Sequence, residues 1–304
     1  MTQRLAEFNI GVLRYDWDDP RVADFADNLE RVRAESDEDP QALLLLSQAW
    51  LSLGQQRAFS QGSHVAEYEE GRKNYENALE LVRKVRAADP ERLDAKQVEG
   101  ALLMLMGDLA VSQRQMEEAR RWYEQRLELA KQLTDQDENP AQLEALASAY
   151  DRMGGMAGMS GDHQRALVSF EVSLGLARRV FETTGSPRAR RQWATAHGRI
   201  GGALSELGRY DEALSMYDQQ LEVLEQLIEE DPASASLEAQ WVVVTELRSR
   251  PQIALRKLDD AEAALSDALK RVEQLIAADS ADARLPVFEI AVTFGLGNVA
   301  ATRS

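Results

Sequence analysis

Three positions recur along this chain at fixed distances from one another. Gly107, Gly154 and Gly201 each stand twelve residues before an alanine (Ala119, Ala166, Ala213), and four residues after each alanine comes an aromatic: Tyr123, Phe170 and Tyr217. The copies return at just under fifty residues. A motif repeating at that period is one small supersecondary unit that cannot bury its own apolar face, so the copies must stack. Glycine and alanine let two helices approach closely, and the aromatic one turn on fills the space between hairpins.

The punctuation agrees. Asp39-Pro40, Asp89-Pro90, Asn139-Pro140, Ser186-Pro187 and Asp231-Pro232 separate the copies, with Asp279-Ser280 as a sixth stop lacking proline. An Asx or Ser followed by Pro suits a helix N-cap with Pro at the first helical position, while the same proline ends the preceding helix. Gly161 and Gly208 fall where a first helix must end and the chain reverse, a position that favours positive φ. After Tyr210, the apolar positions Ala213, Leu214, Tyr217, Leu221, Leu224 and Ile228 keep helical spacing for about five turns.

Composition supports an all-α reading: Ala, Leu, Glu, Gln and Arg dominate and β-branched runs are scarce. There are no cysteines, which excludes disulfides, thiolate nucleophiles and Cys-based zinc sites and fits a reducing, cytoplasmic setting. The formal net charge of -17 argues against phosphate-backbone binding, which needs clustered Lys and Arg. The start "MTQRLAEF" has no basic, apolar leader, and the apolar stretch Ala42 to Leu53 is interrupted by Ser47 and Gln48 and too short to span a bilayer, so no membrane partner is expected.

The segments "YDRMGGMAGMSGDHQRALVSF" (Tyr150 to Phe170) and "HGRIGGALSELGRYDEALSMY" (His197 to Tyr217) resemble the helix-turn-helix pattern of the tetratricopeptide family. The family's usual period is about 34 residues, and this chain is similar to a longer variant found in bacteria. The resemblance implies a right-handed superhelical solenoid of antiparallel helix pairs over residues 39–304, with hairpins at 40–88, 90–138, 140–185, 187–230 and 232–278 and a closing helix at 281–302. Two departures stand out. Gly54 precedes Ala78 by twenty-four residues, so "QQRAFSQGSHVAEYEEGR" reads as a turn lengthened by about twelve residues. Pro251 falls where a first helix should be finishing and is expected to stop or kink it.

Residues 1–38 read differently. Phe8, Ile10 and Val12 alternate in the manner of a strand, and Asp19-Pro20 then opens a helix with Val22, Phe25, Leu29 and Val32 on one face. This opening resembles the start of a small ferredoxin-like, monooxygenase-related bacterial domain, but no further strands follow. The expected organisation is therefore an extended segment plus a half-repeat helix, because Phe25, Leu29 and Val32 align with Tyr217, Leu221 and Leu224 when Pro40 is set on Pro232.

No motif carries catalysis. His64, His163 and His197 are scattered over different repeats without a metal-ligand spacing. "GGMAGMSGD" lacks the Lys-Ser/Thr ending of a phosphate loop, and Met153, Met156 and Met159 at every third position read as adaptable core. Neither an enzyme activity nor a cofactor is expected. One charge feature remains: Arg178, Arg179, Arg188, Arg190, Arg191 and Arg199 share their stretch with a single acid, Glu182. It reads either as a solvated turn with arginines at a helix C-terminus or as an anion or acidic-peptide site, since Arg forks bind carboxylates bidentately. Arg152 and Arg199 occupy equivalent positions in successive first helices, the helices that line the concave groove in the family. The candidate partner-binding residues are Arg152, Arg199, Arg191, Tyr150 and His197. The expected function is a non-catalytic scaffold holding a peptide or protein segment, acidic segments included. Homo-oligomeric self-assembly, or a regulatory arm whose effector is a separate chain, is the alternative.

Overall fold

The computed structural model describes residues 27–33, 39–58, 65–279 and 282–304. The strand-like reading of Phe8 to Val12 and the ferredoxin-like opening lie outside the described residues. Every regular element among the described residues is an α-helix. They are α1 (27–33), α2 (Pro40–Ala58), α3 (Val65–Ala88), α4 (Leu93–Ser112), α5 (Met116–Gln136), α6 (Pro140–Met159), α7 (His163–Thr184), α8 (Pro187–Glu206), α9 (Tyr210–Glu230), α10 (Ala235–Ala254), α11 (Leu258–Ala278) and α12 (Leu285–Arg303).

The chain divides into two compact units, Met1–Gln132 and Leu133–Ser304. In the first, α2 packs on α3, α3 on α4, and α2 touches α4. Its core gathers Leu29, Leu46, Leu53, Tyr75, Val82, Leu102 and Leu109. In the second, α6 to α12 each pack on the next in sequence, and first helices also meet first helices, α8 with α10 and α10 with α12. Phe170, Tyr217, Leu224, Trp241, Leu265 and Val292 centre that core. The long amphipathic helix read after Tyr210 is α9, with Ala213, Tyr217 and Leu224 buried.

The helix starts divide into two kinds. Asn139 and Ser186 cap α6 and α8, accepting from the backbone N–H of Gln142 and Ala189 at 3.1 Å each, with Pro140 and Pro187 at the first helical position. Asp39 accepts from the N–H of Gln41 and Ala42 at the start of α2. Asp89 and Asp231 do something else. Their carbonyls accept from the N–H of Arg92 and Ser234, three residues on, so Asp-Pro opens a β-turn and the helix begins only at Leu93 or Ala235. Aspartate then proline suits the first two positions of either device.

The hairpin turns share one backbone device. Gly161 and Gly208 have φ of 81° and 74°, and Arg114 and Arg256 occupy the same place in their own turns at 59° and 61°. In each, the N–H that follows bonds back across the helix end, as in Asp162 to Ala157 and Lys257 to Gln252, both at 2.9 Å. The left-handed conformation penalises a side chain by roughly 1–2 kcal/mol, so two hairpins carry a strain that two avoid.

Two sequence expectations are corrected. A Cβ built on Gly54 would lie 2.5 Å from the Tyr75 ring and 3.2 Å from the Gly71 carbonyl oxygen. The residue facing Gly54 is therefore Tyr75, with Gly71 in the alanine place four residues before it. Twenty-one residues separate Gly54 from Tyr75, against sixteen from Gly107 to Tyr123, so the turn is lengthened by five residues and not twelve. Pro251 also fails to stop α10 early. It is buried in the last turn, where its carbonyl still accepts from Leu255 N–H at 3.0 Å, and α10 reaches Ala254.

Candidate functional site

The fold supplies the acids that the arginine stretch lacks in sequence. Arg178 pairs with Glu182 at 2.7 Å, and Arg179 with Glu138 from the preceding turn. Arg188 reaches Glu144 at 3.4 Å, Arg190 reaches Glu230, and Arg199 reaches Asp151 at 3.5 Å. Arg191 differs. Its Nε donates to Gln240 Oε1 at 3.0 Å and a terminal nitrogen donates to Ser236 Oγ at 2.8 Å, so both acceptors are neutral. Most of the cluster is thus a set of exposed or half-exposed ion pairs, each worth little in stability. Among the described residues, Arg191 is a guanidinium held in place without a counter-charge.

Arg188, Arg191 and Arg199, with Glu144 and Asp151, line one cleft of about 400 Å³; Arg178, Arg179 and Arg190 lie outside its lining. Glu144, Ala147, Ser148 and Asp151 of α6 form one wall, Arg188, Arg191, Thr195 and Arg199 of α8 the other, and Ser173, Ala177 and Val180 of α7 the floor. The geometry follows from helix periodicity. Positions 144, 147, 148 and 151 share a face of α6, as 188, 191, 195 and 199 share a face of α8. Two first helices with a second helix beneath them must leave a groove along their seam.

Asp151 is the polar centre of the wall. Burial pushes its carboxyl above the usual carboxylate range, against the opposing pull of Arg199, the Ser173 hydroxyl and Arg152. Its Oδ1 is buried and takes no hydrogen bond among the described residues. A carboxylate with one satisfied and one open oxygen can accept an N–H from a bound chain. Across the cleft, Arg191 can give two donors to a carboxylate.

The candidates named from sequence separate accordingly. Arg191 and Arg199 line the cleft. Tyr150 and Arg152 lie half-buried on α6, next to Asp151 in sequence but outside the lining. His197 is 4% exposed, its ring edge-on to Trp193 at 5.1 Å, and Trp193 in turn stacks on Phe181. That placement makes His197 a packing residue closed off from a partner, and burial holds its pKa below the ordinary histidine value. Glu144 and Asp151 were not singled out from sequence, and Arg188 only as a member of the arginine stretch. Their signal was present, because Glu144 and Arg188 stand 44 residues apart, close to one repeat.

Comparison with known proteins follows this geometry. The Tetratricopeptide repeat family model matches residues 102–137 and 196–230. No curated protein matches the sequence. Among solved structures, the chain is similar to BtubC (BKLC) from P. vanneervenii, with a TM-score of 0.62 at 16% identity over 86% of this chain and 91% of that one. It is also similar to Aspartyl phosphate phosphatase F from Bacillus subtilis, with a TM-score of 0.61 at 13% identity; 94% of this chain aligns and spans 64% of that protein's length. A third is a Rap protein complexed with Competence and Sporulation Factor, with a TM-score of 0.51 at 16% identity, covering 91% of this chain and 69% of that one. At these identities the likeness is one of fold. The repeat model is matched twice and the glycine-to-aromatic packing recurs from hairpin to hairpin, so residues 102–137 and 196–230 are tetratricopeptide repeats and the fold is that of the similar helical-repeat structures.

Proposed function

We propose that this protein is a non-catalytic interaction scaffold holding an extended segment of another protein in the cleft between α6 and α8. The observation that carries the reading is the state of Arg191: a cleft guanidinium fixed by Ser236 and Gln240, to which a ligand carboxylate can bind without breaking an ion pair. Asp151 Oδ1 offers the complementary acceptor for a backbone or side-chain N–H. A segment carrying an acidic side chain satisfies both. The similar Rap structure, solved complexed with a factor, supports the view that this fold serves as a receptor surface.

The test is selection of displayed peptides on the full chain, with Arg191→Glu as counter-selection. Peptides sharing an acidic residue should bind the natural chain and be lost by at least tenfold on the variant. Peptides that bind both equally, or a selection that yields none, would remove the cleft from consideration.

A second reading, self-assembly, has its own observation. On α12, Val287, Ile290 and Phe294 are 61%, 69% and 69% exposed and lie on one face. Among the described residues α12 is also the one helix long and apolar enough to cross a membrane. Light scattering over a concentration series separates this reading from the first: a species that stays monomeric at high concentration would discard it.

A further inference from the structure

The face formed by α9, α10 and α11 carries a groove independent of the arginine cleft and of the function proposed for it. Two adjoining depressions of about 460 Å³ and 340 Å³ share Asp218, Glu222 and Arg248 in their walls. The larger is bounded by Asp211, Asp218 and Glu222 of α9, Arg248 and Gln252 of α10, and Lys257 and Asp260 at the start of α11. Its charges do not cancel. Arg248 is taken by Asp218 at 2.6 Å, and Lys257 by Asp211 at 3.5 Å. Glu222 and Asp260 are then left on opposite walls with no hydrogen bond or ion pair among the described residues.

The floor adds a second, separate observation. Gln252 is 2% exposed, lines the groove, and its Oε1 receives no hydrogen bond among the described residues. Thr245, 1% exposed, lines the smaller depression with its Oγ1 equally unpartnered. Buried polar atoms are nearly always satisfied, so an unpaired acceptor lining the same groove as two unpaired carboxylates offers three acceptor groups to one donor-rich ligand. A ligand that served all three would donate several hydrogen bonds and carry positive charge. A primary ammonium, with three donors and no acceptor, meets that description.

We infer that this groove binds a lysine-bearing extended segment of a partner protein, one ammonium seating between Glu222 and Asp260 over Gln252. An extended segment, and not a free amine, is favoured by the length of the surface. Asp211, Asp218, Glu222 and Glu225 follow one side of α9 over about 21 Å at 1.5 Å per residue, which about six extended residues would span at roughly 3.3 Å each. Complementary charge along such a groove steers encounter and fixes register.

The test is fluorescence anisotropy of a labelled, end-blocked hexalysine peptide with the full chain at about physiological salt. Because the chain is acidic overall, the comparison is between variants that remove equal charge. Glu222→Gln with Asp260→Asn should weaken binding about tenfold, whereas Glu124→Gln with Asp135→Asn on α5 should change it less than twofold. Gln252→Leu, which alters no charge, should weaken it severalfold. If Gln252→Leu unfolds the chain, the near-isosteric Gln252→Met replaces it, and there too binding should weaken severalfold. Equal weakening by the two charge pairs, or no detectable peptide binding, would overturn the inference. So would binding of 1,5-diaminopentane at this site without binding of the peptide.

Discussion

Gly154 and Phe170 occupy one volume: a Cβ on the glycine would lie 2.5 Å from the Phe170 ring. The same pairing joins Gly54 with Tyr75, Gly107 with Tyr123 and Gly201 with Tyr217. Forty-eight residues after Gly201 and Tyr217, Ser249 and Leu265 take the glycine and aromatic places of α10 and α11, a larger residue for the glycine and a smaller one for the aromatic, and both lie near where a Cβ on Gly295 would sit, at 3.7 Å and 3.1 Å. The closeness of each hairpin is therefore set by the sum of two side chains, not by either alone.

A double-mutant cycle follows from that exchange. Gly154→Ser should cost about 1–2 kcal/mol, the overpacking penalty less the gain in helix propensity. Phe170→Leu should cost at least about 1 kcal/mol by leaving a void. Gly154→Ser with Phe170→Leu, copying the α10–α11 pair, should cost less than the sum of its single variants by about 1 kcal/mol or more. Urea denaturation of the four proteins measures the coupling, and strictly additive costs would show that shared volume is not what links the two positions.

Relief of turn strain gives a gain in stability. Arg114 holds a φ of 59° where equivalent turns use Gly161 and Gly208. Arg114→Gly should stabilise the chain by up to about 1 kcal/mol, the left-handed penalty less the extra freedom glycine gives the unfolded chain. Calorimetry should show a transition raised by roughly 1–3 °C. An unchanged or lowered transition would mean that the arginine side chain makes a compensating contact.

What could be read in advance depended on how local the signal was. The glycine, alanine and aromatic of each hairpin lie within seventeen residues, so α4 to α9 were legible from spacing alone. The α2–α3 register was not, because Ala78 mimics the repeat's alanine while Gly71, which fills that place, sits in a stretch that reads as loop. Asp-Pro could not distinguish an N-cap at Asp39 from a β-turn at Asp231, since the two devices want the same residues in the same order. The arginines were visible, but the acids that neutralise Arg179, Arg188 and Arg190 come from 40 to 44 residues away and appear only when successive repeats are laid side by side. Arg191 stands out only by the absence of such a partner.

His197 makes stability depend on pH in a defined direction. Its ring is buried, neither nitrogen has a partner among the described residues, and burial alone lowers its pKa. The unfolded chain titrates near 6.5 and so binds the proton first; stability is complete above that pH and falls as the pH drops below it, until the folded histidine also protonates. Replacing the ring by an apolar one of similar shape, His197→Phe, keeps the edge contact with Trp193 and should flatten the difference in unfolding free energy between pH 7 and pH 5. The check is a pair of denaturation curves at each pH; equal slopes for the natural chain and the variant would assign the dependence to other groups.

On α12, neighbouring apolar residues should give opposite outcomes. Val292 is fully buried, whereas Ile290 and Phe294, two residues to either side, are 69% exposed. Val292→Ala should cost about 2 kcal/mol, two methyl groups at roughly 0.8 kcal/mol each plus the cavity left behind. Ile290→Ser with Phe294→Ser removes no buried contact and should leave the unfolding free energy within about 0.5 kcal/mol of the natural chain. A contiguous exposed apolar face promotes association, so the same pair of serines should lower light scattering at high concentration if copies of the chain meet through α12. Unchanged scattering beside an unchanged unfolding curve would show that the face carries no self-association, and would leave the cleft at Arg191 as the surface to pursue.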